Sequence, residues 1–280
     1  MRVSAYVLLA DPSFLRASLL AYYHLVDRVV LSYDETSTSW TGTPLPVDEC
    51  LAIVEEIDTD GKCVHAPGSF ARLDEHPLDN DTYQRQSALD AASEGADWVL
   101  QLDTDEVMLD PAAFRASLDA AERAGAGGLH YPARWLYSRV APGRYLESST
   151  RLGRPAASYP GPLAVHAGTT LAHARQADVP LYRVDLRPWN TDPSHPHDTV
   201  VHEVVRPDQA VLHFSWVRRP EAMRQKFGWS GHTAHYSRPG VYESWVGRSR
   251  HPRRTVLTSP LRREDWFRLV TVPEPPGGAP

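Results

Sequence analysis

The chain has 280 residues, of which 42% are hydrophobic, and carries a formal net charge of -6 with a pI near 6.1. This length supports one large globular domain, or one domain with a small appendage. The mildly acidic balance leaves no global electrostatic footprint for nucleic acid or an anionic membrane, so small molecules are the expected partners.

In chain order, residues 3–10 form an almost unbroken apolar run of strand length, as expected for a strand covered on both faces of a parallel sheet. The run stops at Asp11-Pro12 without a small-residue cleavage pattern, which argues against a signal peptide. Asp11-Pro12 instead reads as an N-cap with a first-turn proline, opening an amphipathic helix over 12–25. Residues 28–33 read as a second strand, 34–43 as a polar loop, 47–57 as a helix and 62–66 as a third strand. Cys50 and Cys63 fit no metal spacing and no disulfide framework, which points to a reducing, cytoplasmic setting.

A helix over 82–94, closed by Gly95, leads to the apolar strand 98–102, which delivers the chain into Asp103-Thr104-Asp105-Glu106. Asp110-Pro111 then caps a helix over 112–124. Strands alternating with helices imply right-handed crossovers and an open, mostly parallel α/β sheet flanked by helices. Beyond Gly127 the pattern turns aromatic and proline-rich, with strand-like stretches at 129–137 and 211–217, a helix at 220–229 and a disordered tail from 271. No stretch reaches the ~18 apolar residues of a membrane span, so no integral membrane segment is expected.

Ligands of open α/β sheets bind beyond the carboxyl ends of the strands, where Asp103 and Asp105 stand. Residues two apart in extended geometry point the same way, so the two carboxylates can converge on a hard cation such as Mn²⁺ or Mg²⁺. Such an ion would neutralise charge on a departing nucleoside diphosphate.

Three pieces carry a resemblance. They are the unit over 3–25, the block from Arg85-Gln86-x-x-Leu89 through Trp98-Val99-Leu100-Gln101-Leu102-Asp103-Thr104-Asp105-Glu106, and Leu212-His213-Phe214-Ser215-Trp216. Together they anchor about residues 1–235, and there the chain resembles nucleotide-diphospho-sugar transferases of the GT-A fold, in a bacterial branch related to glycosyltransferase family 2.

The resemblance implies a GT-A-like catalytic domain over 1–218, with a nucleotide-sugar half at 1–106 and an acceptor half at 107–218, followed by a helix-and-loop extension at 219–270. It implies a metal held by Asp103, Asp105 and His213, and an Asp34 that meets the donor's base or ribose. Arg85, Lys226 and His232 are further donor-binding candidates, the latter two on the helix and loop after the last core strand.

The activity implied is sugar transfer from a nucleotide-sugar, expected to be a UDP-sugar, to an acceptor hydroxyl with inversion. The acceptor is a small molecule or a glycan, and a homodimer is left open. Here Tyr33-Asp34-Glu35-Thr36-Ser37 stands where common relatives carry Asp-Asp-Gly-Ser, and the sequence is read as having no late Glu-Asp pair after residue 130. The general base is therefore not carried over. Asp198 and Glu203, flanking His197 and His202, are the candidates by chain order.

Trp135, Tyr137, Tyr145 and Tyr159 offer aromatic faces that could hold a sugar or pack a core. Two alternatives are a sugar-phosphate nucleotidyltransferase and a non-catalytic carbohydrate-binding protein. Against the first, Ala10-Asp11-Pro12-Ser13-Phe14 lacks the Gly-rich, basic segment such enzymes usually carry after the first strand.

Overall fold

The computed structural model describes residues 1–187, 199–229, 236 and 238–273. It is a mixed α/β structure built on two large sheets, with a separate two-stranded ribbon over 171–177. The strands of the first half are β1 (Val3–Leu8), β2 (Arg28–Asp34), β3 (Cys63–Gly68), β4 (Trp98–Gln101), β5 (Glu106–Met108), β6 (Gly128–His130) and β7 (Ala133–Ala141). They are followed by β8 (Arg144–Ser149), β9 (Ala164–His166), β10 (Leu171–His173), β11 (Gln176–Ala177), β12 (Leu181–Leu186), β13 (Glu203–Val205), β14 (Val211–His213) and β15 (Trp266–Thr271). The helices are α1 (Leu15–Tyr22), α2 (Val47–Ile57), α3 (Pro77–Ser93), α4 (Pro111–Arg123), α5 (Pro220–Trp229), α6 (Val241–Arg250) and α7 (Pro252–Thr258).

The larger sheet has eight strands in the order β13-β12-β6-β9-β4-β1-β2-β3, all parallel except β9, which runs antiparallel to both neighbours. It is therefore open and mostly parallel, with helices on both faces. Alternation along β1 explains its unbroken apolar run. Val3, Ala5 and Val7 pack with α1, α2 and α4, while Tyr6 points to the opposite face among Ala88, Leu89 and Ala92 of α3. Each fully buried Val, Leu or Phe of this kind contributes about 1.5–3 kcal/mol of transfer free energy.

The smaller sheet has five strands in the order β15-β8-β7-β14-β5. Met223 and Phe227 of α5, Trp245 of α6 and Phe267 of β15 share one apolar cluster with Tyr137 and Leu146. No described helix is long and apolar enough to cross a membrane.

Several boundaries differ from the sequence reading, each for a physical reason. Helix α1 begins only at Leu15, with Phe14 at its cap and no side-chain cap bond, because Asp11 is engaged elsewhere by Ser13 and Arg218. Helix α3 starts five residues early, at Pro77, where the ring of His76 accepts from the Leu78 amide. Its buried face includes Asn80, Asp81, Gln84 and Arg85, so no apolar period marks its first half.

The stretch 129–137 is two strands in two different sheets, parted at Pro132. The strand expected over 211–217 stops at His213, and the chain turns through the bond from the Val217 amide to the Phe214 carbonyl. The disordered tail expected from 271 does not start there, since Thr271 ends β15 and Val272 is buried, and residues 274–280 lie outside the described residues.

Candidate functional site

The chain runs from β1 to β2 to β3 on one side, then returns to place β4 on the other side of β1. The strand order thus reverses between β1 and β4, and the carboxyl ends of these two strands frame the crevice at such a switch point. Ala10 and Asp11 follow β1 there, and Asp103 to Asp105 follow β4. Both groups line one cleft of about 180 Å³, together with Asp81, Arg85, His213 and Lys226.

The acidic motif is a turn rather than an extended segment. The Glu106 amide donates to the Asp103 carbonyl at 3.0 Å, and the Glu106 carboxylate accepts from the Asp103 amide at 3.0 Å. Each aspartate takes its own partners, while both face the same cleft. Arg85 donates to Asp103 at 2.9 Å, and Arg175 comes within 4.0 Å of its other oxygen. Asp105 meets Lys226 at 2.6 Å, Arg218 at 3.1 Å and His213 Nε2 at 3.3 Å.

Glu106, fully buried, is held by both guanidinium nitrogens of Arg175 at 2.6 Å each. Arg85 also grips Asp81 at 2.6 Å, and Arg218 also grips Asp11 at 2.8 Å. Five carboxylates thus interlock with four permanent cations. Bidentate and charge-assisted contacts of this kind are the strong ones, and they offset the cost of burying so many charges.

The electrostatics follow from this packing. Burial alone would raise the Asp105 carboxyl, but Lys226, His213 and Arg218 outweigh it and hold it well below the usual carboxylate range. Burial likewise opposes ionisation of Asp103 and of Asp11. Arg85 and Arg175 overcome it at Asp103, and Arg218 and Lys226 at Asp11, so both carboxyls lie below their ordinary value. Burial, with Asp105 adding to it, pushes the Tyr236 hydroxyl up to about 12.

A resident divalent cation does not fit this arrangement as packed. Every carboxylate of the cleft already faces a cation, and no group of three or more His, Cys, Asp or Glu among the described residues forms a metal-binding cluster. A metal at Asp105 would have to displace Lys226.

Asp34 stands at the carboxyl end of β2, as expected of the donor side, but both its oxygens are saturated. One accepts from the Thr36 amide and hydroxyl, and the other from the Phe70 and Ala71 amides at 2.8 and 2.9 Å. It therefore shapes the loop that carries Trp40 and has no oxygen left over for a ligand. Trp40 donates to Gln84 at 2.8 Å and lines, with Asp34 and Trp229, a recess of about 30 Å³ beside the main cleft. The Thr41 hydroxyl donates to the Gly228 carbonyl at 3.0 Å, so the end of α5 rests on this loop.

The structure thus brings together Arg85, Asp103, Asp105, His213 and Lys226, and sets Asp34 next to them. Asp198 and His232 lie outside the described residues. Glu203 is not brought to the cleft. It opens β13, the sheet edge four strand spacings from β4, roughly 19 Å away laterally at ~4.8 Å per strand.

Sequence reasoning missed Asp11, Asp81, Arg175 and Arg218. Arg175 had no local signal, since it reaches the site from the turn between β10 and β11. The reading that no late Glu-Asp pair follows residue 130 is also corrected, because Glu264-Asp265 is such a pair and the dipeptide itself could have flagged it. Asp265 lines an aromatic recess of about 450 Å³ with Tyr137, Trp216 and Phe267, and Trp135 is a wall common to this recess and the cleft.

No protein-family model matches the chain, and no curated protein sequence matches it. Similar solved structures include mannose-6-phosphate isomerase from Helicobacter pylori, at 12% identity and a TM-score of 0.30, covering 54% of this chain and 57% of that one. Mannose-1-phosphate geranyltransferase from Thermus thermophilus matches at 16% identity and a TM-score of 0.30, covering 61% of this chain and 51% of that one. The chain spans little more than half of either protein, and likeness at this level carries no argument about activity.

Proposed function

We propose that the chain is a GT-A-like glycosyltransferase that binds a nucleotide-sugar, with a UDP-sugar as the expected donor, and transfers the sugar to an acceptor hydroxyl. The observation that carries this reading is the placement of Asp103, Asp105, Arg85 and Lys226 in the crevice at the β1/β4 switch point. The nucleoside lies toward Trp40, with Asp34 fixing the loop beneath it. Lys226 and Arg85, which line the cleft, face the diphosphate as donors of charge and hydrogen bonds.

In the transfer step the bond from the anomeric carbon to the diphosphate oxygen breaks, with its electron pair leaving on the nucleoside diphosphate. The acceptor oxygen bonds to the anomeric carbon, and its proton passes to a carboxylate. The aromatic recess beyond Trp135 suits a sugar acceptor, and Asp265 is the carboxylate there that we assign to take the proton.

A second reading brings in Mn²⁺ or Mg²⁺, and is favoured by the 3.3 Å approach of His213 Nε2 to Asp105, two ligand types facing one another. In that reading Asp105 and His213, with Asp103, would hold an ion once Lys226 has moved off Asp105, and the ion would supply positive charge to the leaving diphosphate.

The deciding experiment follows nucleoside diphosphate release and thermal unfolding across a panel of nucleotide-sugars, with Mn²⁺, Mg²⁺ or EDTA. A donor at 100 times its dissociation constant is expected to stabilise the fold by about 2.7 kcal/mol. Pyrophosphate release from a nucleoside triphosphate would move the assignment to a nucleotidyltransferase. Sugar binding without any nucleotide effect would move it to a carbohydrate-binding protein.

A further inference from the structure

The net charge of -6 hides a strong asymmetry. Between residues 218 and 268 the sequence carries twelve Arg or Lys against four Asp or Glu, so this stretch is strongly basic inside an acidic chain. Charge asymmetry between parts of one chain marks an interaction with an anionic partner.

The excess is not consumed by ion pairs. Among the described residues Arg250, Arg253, Arg254 and Arg263 are exposed and make no salt bridge, whereas Arg248 is held by Asp265. Amid these arginines stand the two most exposed large aliphatic side chains of the C-terminal part, Leu257 at 80% and Leu261 at 86%.

Spacing places them together. Arg253 and Arg254 precede Leu257 by four and three residues on α7, one face of a helix, and Leu261 follows one turn later in the short 3₁₀ segment Ser259–Leu261. Beneath lies a recess of about 380 Å³ lined by Arg144, Arg250, Arg253 and Arg254.

We infer that the face formed by α7 and the Ser259–Leu261 turn is a peripheral docking surface for an anionic lipid membrane, with Leu257 and Leu261 entering the acyl boundary and the arginines meeting lipid phosphates. Basic side chains flanking exposed aliphatic ones are the pattern of interfacial membrane binding. Nucleic acid would account for the arginines but leaves two solvated leucines unexplained. The surface leaves the donor cleft open, because α7 lines none of it. The inference does not rest on the transferase reading, since docking is measured without turnover.

The test is co-sedimentation of the full chain with vesicles of phosphatidylcholine alone or containing phosphatidylserine, beside a gel-shift with duplex DNA and single-stranded RNA. Binding to the phosphatidylserine vesicles only, weakened by salt, is the expected result. Arg253→Ala/Arg254→Ala is expected to lower partitioning about 25-fold, at about fivefold per arginine, and Leu257→Ser/Leu261→Ser to lower it at unchanged charge. Unaltered thermal unfolding of both variants shows that they are folded. Absence of vesicle binding, binding that both variants retain, or nucleic-acid binding that survives the leucine substitutions would each overturn the inference.

Discussion

The ammonium of Lys226 lies 2.6 Å from Oδ2 of Asp105, an oxygen it shares with Arg218 at 3.1 Å. Asp105 is 5% exposed, so removing its charge takes the carboxylate from Lys226 in a poorly solvated place and leaves Arg218 with Asp11 alone. Asp105→Asn is expected to cost about 3–5 kcal/mol in urea unfolding. Lys226→Met should cost less, because Arg218 and His213 still compensate Asp105. Equal losses in the two variants would mean that Lys226 alone carries the pairing.

Stability should fall in acid. The folded pKa values of Asp11, Asp103 and Asp105 lie below their ordinary values, so these groups bind fewer protons folded than unfolded. Their stabilisation is complete above the unfolded value of about 3.9 and is lost as pH falls through the folded values. Melting temperature is expected to fall steeply below about pH 4. Arg85→Met removes the main cation of Asp103 and so raises its folded pKa; the variant should be less stable at neutral pH and lose less of its remaining stability in acid, and an acid loss equal to wild type would contradict that pairing.

Trp40 tests the nucleoside side. Stacking of a base on an aromatic ring is worth about 1–3 kcal/mol, so Trp40→Ala should weaken donor binding roughly 5- to 150-fold by calorimetry. Asp34→Asn is expected to weaken it indirectly, by loosening the loop held by the bonds from Phe70 and Ala71. A Trp40→Ala protein that binds its donor as tightly as wild type would place the base elsewhere.

The general base separates two carboxylates far apart. Asp265→Asn is expected to lower kcat about 10²- to 10⁴-fold with KM little changed. Glu203→Gln, at the edge of the large sheet, should leave kcat intact. The reverse pattern would restore the assignment made by chain order.

The outline of the fold was readable because β1, α2 and α5 announce themselves locally, by apolar runs and helical spacing bounded by proline or polar turns. Asp103 and Asp105 were readable for a similar reason, standing just past the buried strand Trp98–Gln101. What surrounds them was not. Arg175 and Arg218 reach the motif from 69 and 113 residues away along the chain, and nothing near them in sequence reports that proximity. The start of α3 was hidden by the polarity of the face it buries. The separate partners of the two aspartates follow a turn closed by Glu106, which an extended-strand rule does not anticipate.

The few residues between β4 and β5 are also where the backbone leaves the large sheet and enters the small one. They act as a stitch through two plates: Asp103 is tied to Arg85 of α3, which packs on the large sheet, while the Asp105 carbonyl accepts from the Phe214 amide just past β14 of the small one. A ligand that bridges the two carboxylates therefore spans the join between the sheets.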